Sequence, residues 1–425
     1  MAYTLVETEA DRPDGLNGGT SQYSGADMAY IVSRFDVALP VAVTDFVQKG
    51  NINTHTYLVK AGDGREYLLQ KVNSDVFTRP YRVMDSMVAC LNAQRKVLDV
   101  HSDFWEPITL VPTRQGKAFL DISDEHGWSV WRLMHRIADV NCYKSLSVVD
   151  PAKRMYYAEE VGRGLALYGD LTAEMPRGLP SPLPGYRHTD IYFNQLDAVL
   201  AGVRNPSAAE PYLPDSEELR DATGLHFLLH LSPEEALARR AAAKQWIDFI
   251  QAHRPQAMVL FNQLESGRIR RMMIHGDTKI ENFLFCAHSG RVKSLIDLDT
   301  IVPGTWLADW GDMVRSLVNV AGETETDLSL VTVDEDVYEA VTRGFLSTTT
   351  QSTPDEIALM PHAVLSITLE LGARFLADYL RGDSYFRVAD GSSLNLTRAA
   401  VQFTLAKCLM AHSAKAETLV GSYLA

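Results

Sequence analysis

Short apolar runs bounded by Gly, Asn and Asp dominate the first third of the chain, the pattern of strands joined by turns. Thr56-Tyr57-Leu58-Val59 and Tyr67-Leu68-Leu69-Gln70 flank Gly62-Asp63-Gly64, which predicts an antiparallel hairpin. A helical stretch is expected over about residues 84–98, and Trp128-Ser129-Val130-Trp131-Arg132-Leu133-Met134 predicts a further strand. Beyond it the period lengthens, and residues 155–168 read as a helix with a buried face. Seven of the chain's 18 prolines fall in residues 175–215, so an irregular excursion is expected there, read as a lid near the substrate. Ser232-Pro233-Glu234-Glu235 starts a long helix, with Ser at the N-cap, Pro at N1 and Glu at N3. Residues 364–381 read as a helix closed by Gly382, and the chain from 337 onward is expected to be helical. The pattern divides the chain into a tail rich in Gly, Asp and Ser over 1–25, expected to be disordered, a strand-rich lobe over 26–134 and a mainly helical lobe over 135–425. The class is α+β.

Composition narrows this picture. With 425 residues, 46% hydrophobic and 22% charged, the chain can bury an ample core in two or three domains or lobes. A net charge of −14 argues against a partner that tracks nucleic-acid phosphates. The four cysteines, Cys90, Cys142, Cys286 and Cys408, form no C-x-x-C pair, which suits reduced thiols in a cytoplasmic protein. There is no basic n-region followed by an apolar h-region, and no apolar run of membrane-spanning length, so no membrane partner is expected.

The densest chemistry lies in His275-Gly276-Asp277-Thr278-Lys279-Ile280-Glu281-Asn282, followed by Leu295-Ile296-Asp297-Leu298-Asp299. Asp, Asn and Gly gather in ordinary turns, so each residue alone would mean little. Together they form an Asp, an Asn five residues on and an Asp after a strand hairpin. Phosphoryl transfer in a kinase fold needs that array: one carboxylate to orient and deprotonate a hydroxyl, an amide oxygen and a second carboxylate to hold Mg²⁺ on nucleotide phosphates. Phe283-Leu284-Phe285-Cys286 and residues 292–296 read as the two strands, which would carry Asn282 and Asp297 to one edge of a site. The strand ending at Met134 leads into the segment where a kinase hinge would bind adenine through backbone groups of Met134, His135 and Arg136.

These motifs resemble the aminoglycoside phosphotransferase-like kinases, a branch of the protein-kinase-like superfamily. So do Gly50-Asn51-Ile52-Asn53-Thr54-His55-Thr56 and Thr300-Ile301-Val302-Pro303-Gly304. Asp309-Trp310-Gly311-Asp312-Met313-Val314-Arg315 and Ala373-Arg374-Phe375-Leu376-Ala377-Asp378-Tyr379, running on to Tyr385-Phe386, are similar to the N-acetylhexosamine 1-kinases within them. The resemblance covers residues 50–386 and implies a two-lobed protein-kinase-like fold, with a small antiparallel-sheet N-lobe and a large helical C-lobe. It also implies an ATP- and Mg²⁺-dependent kinase that phosphorylates the anomeric hydroxyl of a hexosamine.

Carried onto this sequence, the resemblance makes Asp277 the catalytic base, Asn282 and Asp297 the Mg²⁺ ligands, and Asp309 a structural brace of the catalytic loop. Lys279 would neutralise the transferred phosphate or contact the sugar, and Asp299 would assist the metal, meet a hydroxyl or hold a turn. Arg374 and Tyr385 would line the sugar pocket, and Asn51, Asn53, Thr54 and Gln70 would cover the nucleotide, with Asn51 also near the sugar. Arg374 and Asp378 are four apart on one helix face, so they can pair. There are departures: Gln70 stands where protein kinases carry a strand lysine, with Lys71 beside it, and no Glu lies between Tyr67 and Trp105 to pair with either. Asn51 stands where the hexosamine kinases often carry His. A sister kinase of another alcohol (an aminoglycoside, choline-like or homoserine-like compound) and a nucleotide-binding pseudokinase remain alternatives, and either a monomer or a dimer is compatible.

Overall fold

β1 (Val41–Asp45), β2 (Thr56–Ala61), β3 (Glu66–Lys71), β4 (Leu120–Asp124) and β5 (Gly127–His135) form one antiparallel sheet in the order β1-β2-β3-β5-β4. The computed structural model describes residues 23–47, 52–101, 104–124, 127–386, 388 and 392–424. Of the expected tail over 1–25, residues 1–22 lie outside the described residues, and so does Asn51 with 48–50. The chain divides into two units, one of residues 1–141, 171–183 and 284–302, the other of 142–170, 184–283 and 303–425.

The first unit holds the sheet. The expected hairpin is in place: Val59 pairs with Tyr67 and Lys60 with Glu66, while Gly64 takes φ +85° in the turn, a conformation open to glycine at no steric cost. Period-2 alternation puts Val59, Tyr67, Leu69, Trp131 and Leu133 on one face, where they pack on Met28, Ile31 and Val32 of the helix Gly25–Ser33. That helix starts with a capping box between Ser24 and Asp27. The opposite face carries Gln70 beside Arg132. The helix Pro80–His101 packs against the short turn Leu298–Thr300, and Phe283–Cys286 and Val292–Leu295 form the second expected hairpin, with Val140–Asn141 on its edge.

The second unit is helical and is organised around Met360–Arg381. This helix is buried almost all round, as a helix with apolar residues on every side must be. Leu394–Gly421, Trp306–Val318, Thr189–Ala201 and Pro233–Ala252 surround it, with Phe193, Trp246, Leu376 and Phe403 in the shared core. The Ser232 capping box is present.

The excursion over 175–215 is more ordered than its prolines suggest. The stretch between Pro184 and Pro206 is proline-free and places Ile191, Phe193, Leu196 and Val199 at helical spacing, so Thr189–Ala201 is a helix. Pro206 then sits in the first turn of Pro206–Ala209, where a missing N–H does no harm. Ile191, Ala198, Val203, Ala209 and Phe227 give the excursion a small core of its own. No helix among the described residues is long and apolar enough to cross a membrane.

The helices Arg154–Thr172 and Glu335–Leu346 cross at two glycines. A Cβ on Gly344 would lie 1.9 Å from the Glu159 carbonyl oxygen, and one on Gly162 would lie 2.1 Å from that of Val341. Neither neighbour can yield, because both are helical backbone. Gly344→Ala should therefore destabilise the protein by about 3 kcal/mol, at the upper end of overpacking costs. The test is the denaturant midpoint at unchanged m-value; a midpoint equal to wild type would show that the helices can part freely.

Candidate active site

In the second unit, the expected catalytic loop follows the strand Met272–Ile274, and its backbone is held from two sides. Asp309 stands in the first turn of Trp306–Val318, a helix capped by Thr305. Its Oδ2 accepts the N–H of His275 at 2.7 Å and its Oδ1 that of Gly276 at 2.8 Å. Thr278 donates its hydroxyl to the Asp309 carbonyl at 2.6 Å. Burial pushes the Asp309 carboxyl up to about 7, against the lowering pull of the two N–H donors. Gly276 has φ +85°, which a side chain would resist, so the turn brings Asp277 out of a buried strand without strain.

Asp277 is joined there by its two sequence neighbours of interest. Asn282 Nδ2 donates to the Asp277 carbonyl at 2.7 Å and to its Oδ2 at 3.1 Å. Lys279 Nζ lies 3.3 Å from the same Oδ2 and 2.8 Å from Glu281 Oε1, and is 42% exposed. The loop thus presents a carboxylate, an amide and a cation within a few ångströms. Turning its nitrogen to Asp277 leaves Asn282 its amide oxygen, a hard donor of the kind Mg²⁺ takes.

Arg374 and Tyr385 also belong to this unit. The Arg374 guanidinium sits among four rings, with its carbon 4.6 Å from the centroid of Tyr192, 5.3 Å from Tyr186 and Phe386, and 5.7 Å from Tyr385. The expected pairing of Arg374 with Asp378 is not found. Asp378 pairs with Arg381 at 2.6 Å and accepts the N–H groups of Tyr385 and Phe386, so its oxygens cap the chain reversal after Gly382. Sharing a helix face was not enough, because the turn beyond the helix offered Asp378 more donors. Tyr385 is 46% exposed and stands edge-on to His226. Burial, with Arg381 adding to it, pushes the His226 imidazole down to about 4, so the ring is neutral near pH 7.

The first unit contains the other expected site residues. Gln70 and Lys71 point to opposite faces of β3. Lys71 reaches Tyr23 Oη at 3.2 Å, whereas Gln70 accepts from Arg132 Nε at 3.0 Å and donates to Thr56. Arg132, 3% exposed, continues to Asp299 Oδ1 at 2.5 Å, and Asn53 Nδ2 closes Asp299 Oδ2 at 2.6 Å. Asn53 also accepts the N–H of Asn73, so both ends of its amide are engaged within the unit. Asp299 is 1% exposed and tied on both oxygens. Thr54 is exposed. The His135 and Arg136 N–H groups, expected near adenine, bond to the carbonyls of Thr109 and Glu66. Asp297 is exposed and has φ +65°, ψ +59°, a left-handed conformation rare outside glycine. Among the described residues no group of three or more His, Cys, Asp or Glu could hold a metal unaided.

Sequence reasoning missed three side chains. Arg132 was visible as the one cation in an apolar strand, a placement that implies a buried partner. Tyr186 and Arg187, inside the Pro-rich excursion, carried no signal beyond the preceding Gly185.

Comparison with known proteins bears on the whole of this arrangement. Residues 45–342, well over half of the chain, match the model of the phosphotransferase enzyme family, APH. The solved microcompartment-associated aminopropanol kinase is similar to this chain at 15% identity, with 91% of this chain and 98% of that one covered and a TM-score of 0.57. An aminoglycoside phosphotransferase from Alicyclobacillus acidocaldarius is similar at 14% identity, with 95% and 99% covered and a TM-score of 0.53. These two are likenesses of fold, kinase-like with a small antiparallel-sheet lobe and a mainly helical remainder. The family match spans both the sheet hairpin and the braced loop of Asp277, and on that span the chain belongs to the phosphotransferase enzyme family.

Proposed function

We propose that this protein is an ATP-dependent small-molecule kinase in which Asp277 takes the proton of an acceptor hydroxyl. The observation that carries the reading is the Asp277 loop itself: a carboxylate with Asn282 and Lys279 on its Oδ2, on a backbone braced by Asp309. The acceptor O–H bond breaks towards Asp277, and the oxygen attacks the γ-phosphorus. The bond to the bridging oxygen then breaks, and ADP leaves with its electron pair. Mg²⁺, when bound, would neutralise charge on the phosphates. Asn282 and Asp297 would be the oxygen donors for it, as the resemblance implies, and Lys279, paired with Asp277 and Glu281, would be the cation near the transferred group.

The acceptor favoured is an N-acetylhexosamine, phosphorylated on its anomeric hydroxyl. Arg374 forms no ion pair among the described residues, although the Glu370 charge acts on it, and its guanidinium would oppose a cationic acceptor. A guanidinium framed by tyrosines offers planar donors and ring faces, which suit a neutral pyranose with an amide. The second reading is a kinase of an amino alcohol or aminoglycoside, favoured by the net charge of −14 and by the acceptors named for the two similar structures.

ADP release with ATP and Mg²⁺ is the test. The panel comprises N-acetylglucosamine, N-acetylgalactosamine, their unacetylated parents, an aminopropanol and an aminoglycoside. Turnover of the acetylated sugars with loss of their reducing end is expected. Turnover confined to amines would move the acceptor to the second reading, and ATP binding without turnover would leave a pseudokinase. Arg374→Lys keeps the charge but loses the planar fork; it should raise the acceptor KM by about tenfold and leave the ATP KM unchanged.

A further inference from the structure

Tyr186 and Arg187 come from the excursion, yet both end on the catalytic loop. Tyr186 Oη donates to the Gly276 carbonyl oxygen at 2.8 Å, and Arg187 Nη2 donates to the same oxygen at 2.9 Å. Both lone pairs of that carbonyl are thus filled by adjacent residues. Arg187 also bonds Asp312 at 2.8 Å and lies 3.5 Å from Glu370, with its side chain 5% exposed. Burial would raise the Asp312 carboxyl, but Arg187 and Arg315 outweigh it and hold it at about 2, so the pair stays charged.

The backbone at this point is unusual. Gly185 has φ +85° and Arg187 φ +62°, the latter a conformation that costs a residue with a Cβ roughly 1 kcal/mol or more. The Arg187 N–H bonds to Tyr192 Oη at 3.0 Å, and Tyr192 is the ring nearest Arg374. The turn is therefore held between the residue proposed to meet the acceptor and the peptide that precedes Asp277.

We infer that Tyr186 and Arg187 are positioning residues that fix the Gly276–Asp277 peptide and so the direction of the Asp277 carboxylate. The inference rests on the proposed role of Asp277. Asp309 holds the N–H side of Gly276, and on its carbonyl side Tyr186 and Arg187 hold the oxygen at 2.8 and 2.9 Å, while the N–H of the same peptide, from Asp277, meets His275 Nδ1 at a longer 3.3 Å. With the oxygen released, this peptide would keep only the 3.3 Å bond to His275, and a glycine so lightly held can rotate ψ, which swings the next Cα–Cβ bond and carries the carboxylate off line. In-line transfer tolerates little such misplacement. Burial keeps the Tyr186 phenol protonated by pushing it up to about 12, so it remains a donor at any working pH. On this view the excursion is a fixed wall of the catalytic loop, not a lid that opens over it.

Tyr186→Phe removes one hydroxyl and keeps the ring. We expect kcat to fall about tenfold with the ATP KM unchanged and the melting temperature near wild type. Amide hydrogen exchange over residues 275–278 should quicken severalfold, and that over Glu335–Leu346 should not change. Arg187→Lys, which keeps the charge facing Asp312 and Glu370, should show the same split more strongly. The exchange arm needs no turnover: a wild type inactive on every acceptor would defeat the proposed activity while loop exchange still decided the clamp. Unchanged loop exchange in Tyr186→Phe would overturn the inference. Faster exchange with undiminished kcat would overturn it too, by showing that the loop does not need the clamp.

Discussion

Asp277→Asn should reduce turnover by about three to four orders of magnitude, the upper range for loss of a general base, while the protein stays folded. The amide matches the carboxylate in shape and can still accept from Asn282 or Lys279 through its oxygen. It cannot accept the hydroxyl proton, and it no longer offsets the Lys279 charge 3.3 Å away. The Asp277 side chain is 25% exposed and its ion pair is solvated, so the change in stability should stay below about 1 kcal/mol. The loop backbone depends on Asp309 and not on this carboxylate, which is why the two effects separate. Steady-state ADP release and a thermal melt on one preparation make the test. A variant within tenfold of wild type would remove Asp277 as the base and with it the mechanism.

The parts of this site that could be read from the sequence are those built from near neighbours. Asp277, Lys279 and Asn282 lie within six residues, and a turn joining a strand to a hairpin brings them together wherever the rest of the chain goes. The hairpin of β2 and β3 is equally local, fixed by its glycines and by alternation. What escaped was decided across long separations. Asp299 is tied by Asn53, 246 positions away, and by Arg132, 167 away, so its environment is set by how strands assemble and not by any motif. The same holds for Tyr186 and Arg187, whose 90- and 89-residue separation from Gly276 hid them in a segment read as loop. Asp378 illustrates a subtler limit: helix spacing named a feasible partner, Arg374, and donors from the turn after the helix outbid it.

The first unit supplies the second large effect. Arg132→Met should destabilise the protein by about 3–5 kcal/mol, the usual consequence of stranding one member of a buried ion pair. Methionine can follow the path of the arginine stem and keep its packing, so the loss is electrostatic more than steric. It leaves Asp299, 1% exposed, with Asn53 as its remaining bonded partner, and it takes from Gln70 Oε1 the guanidinium that held it. The remedy distinguishes this cause from plain loss of packing. Adding Asp299→Asn removes the stranded charge and lets Asn53 keep its acceptor, so the double variant should recover about 2 kcal/mol in a double-mutant cycle. Activity should not return with stability. Asp297 sits two residues before Asp299 at φ +65°, so the bond lost from Asp299 falls on the same strained turn. Denaturant midpoints for the two single variants and the double variant measure the cycle. Strictly additive costs would mean that Arg132 and Asp299 contribute separately.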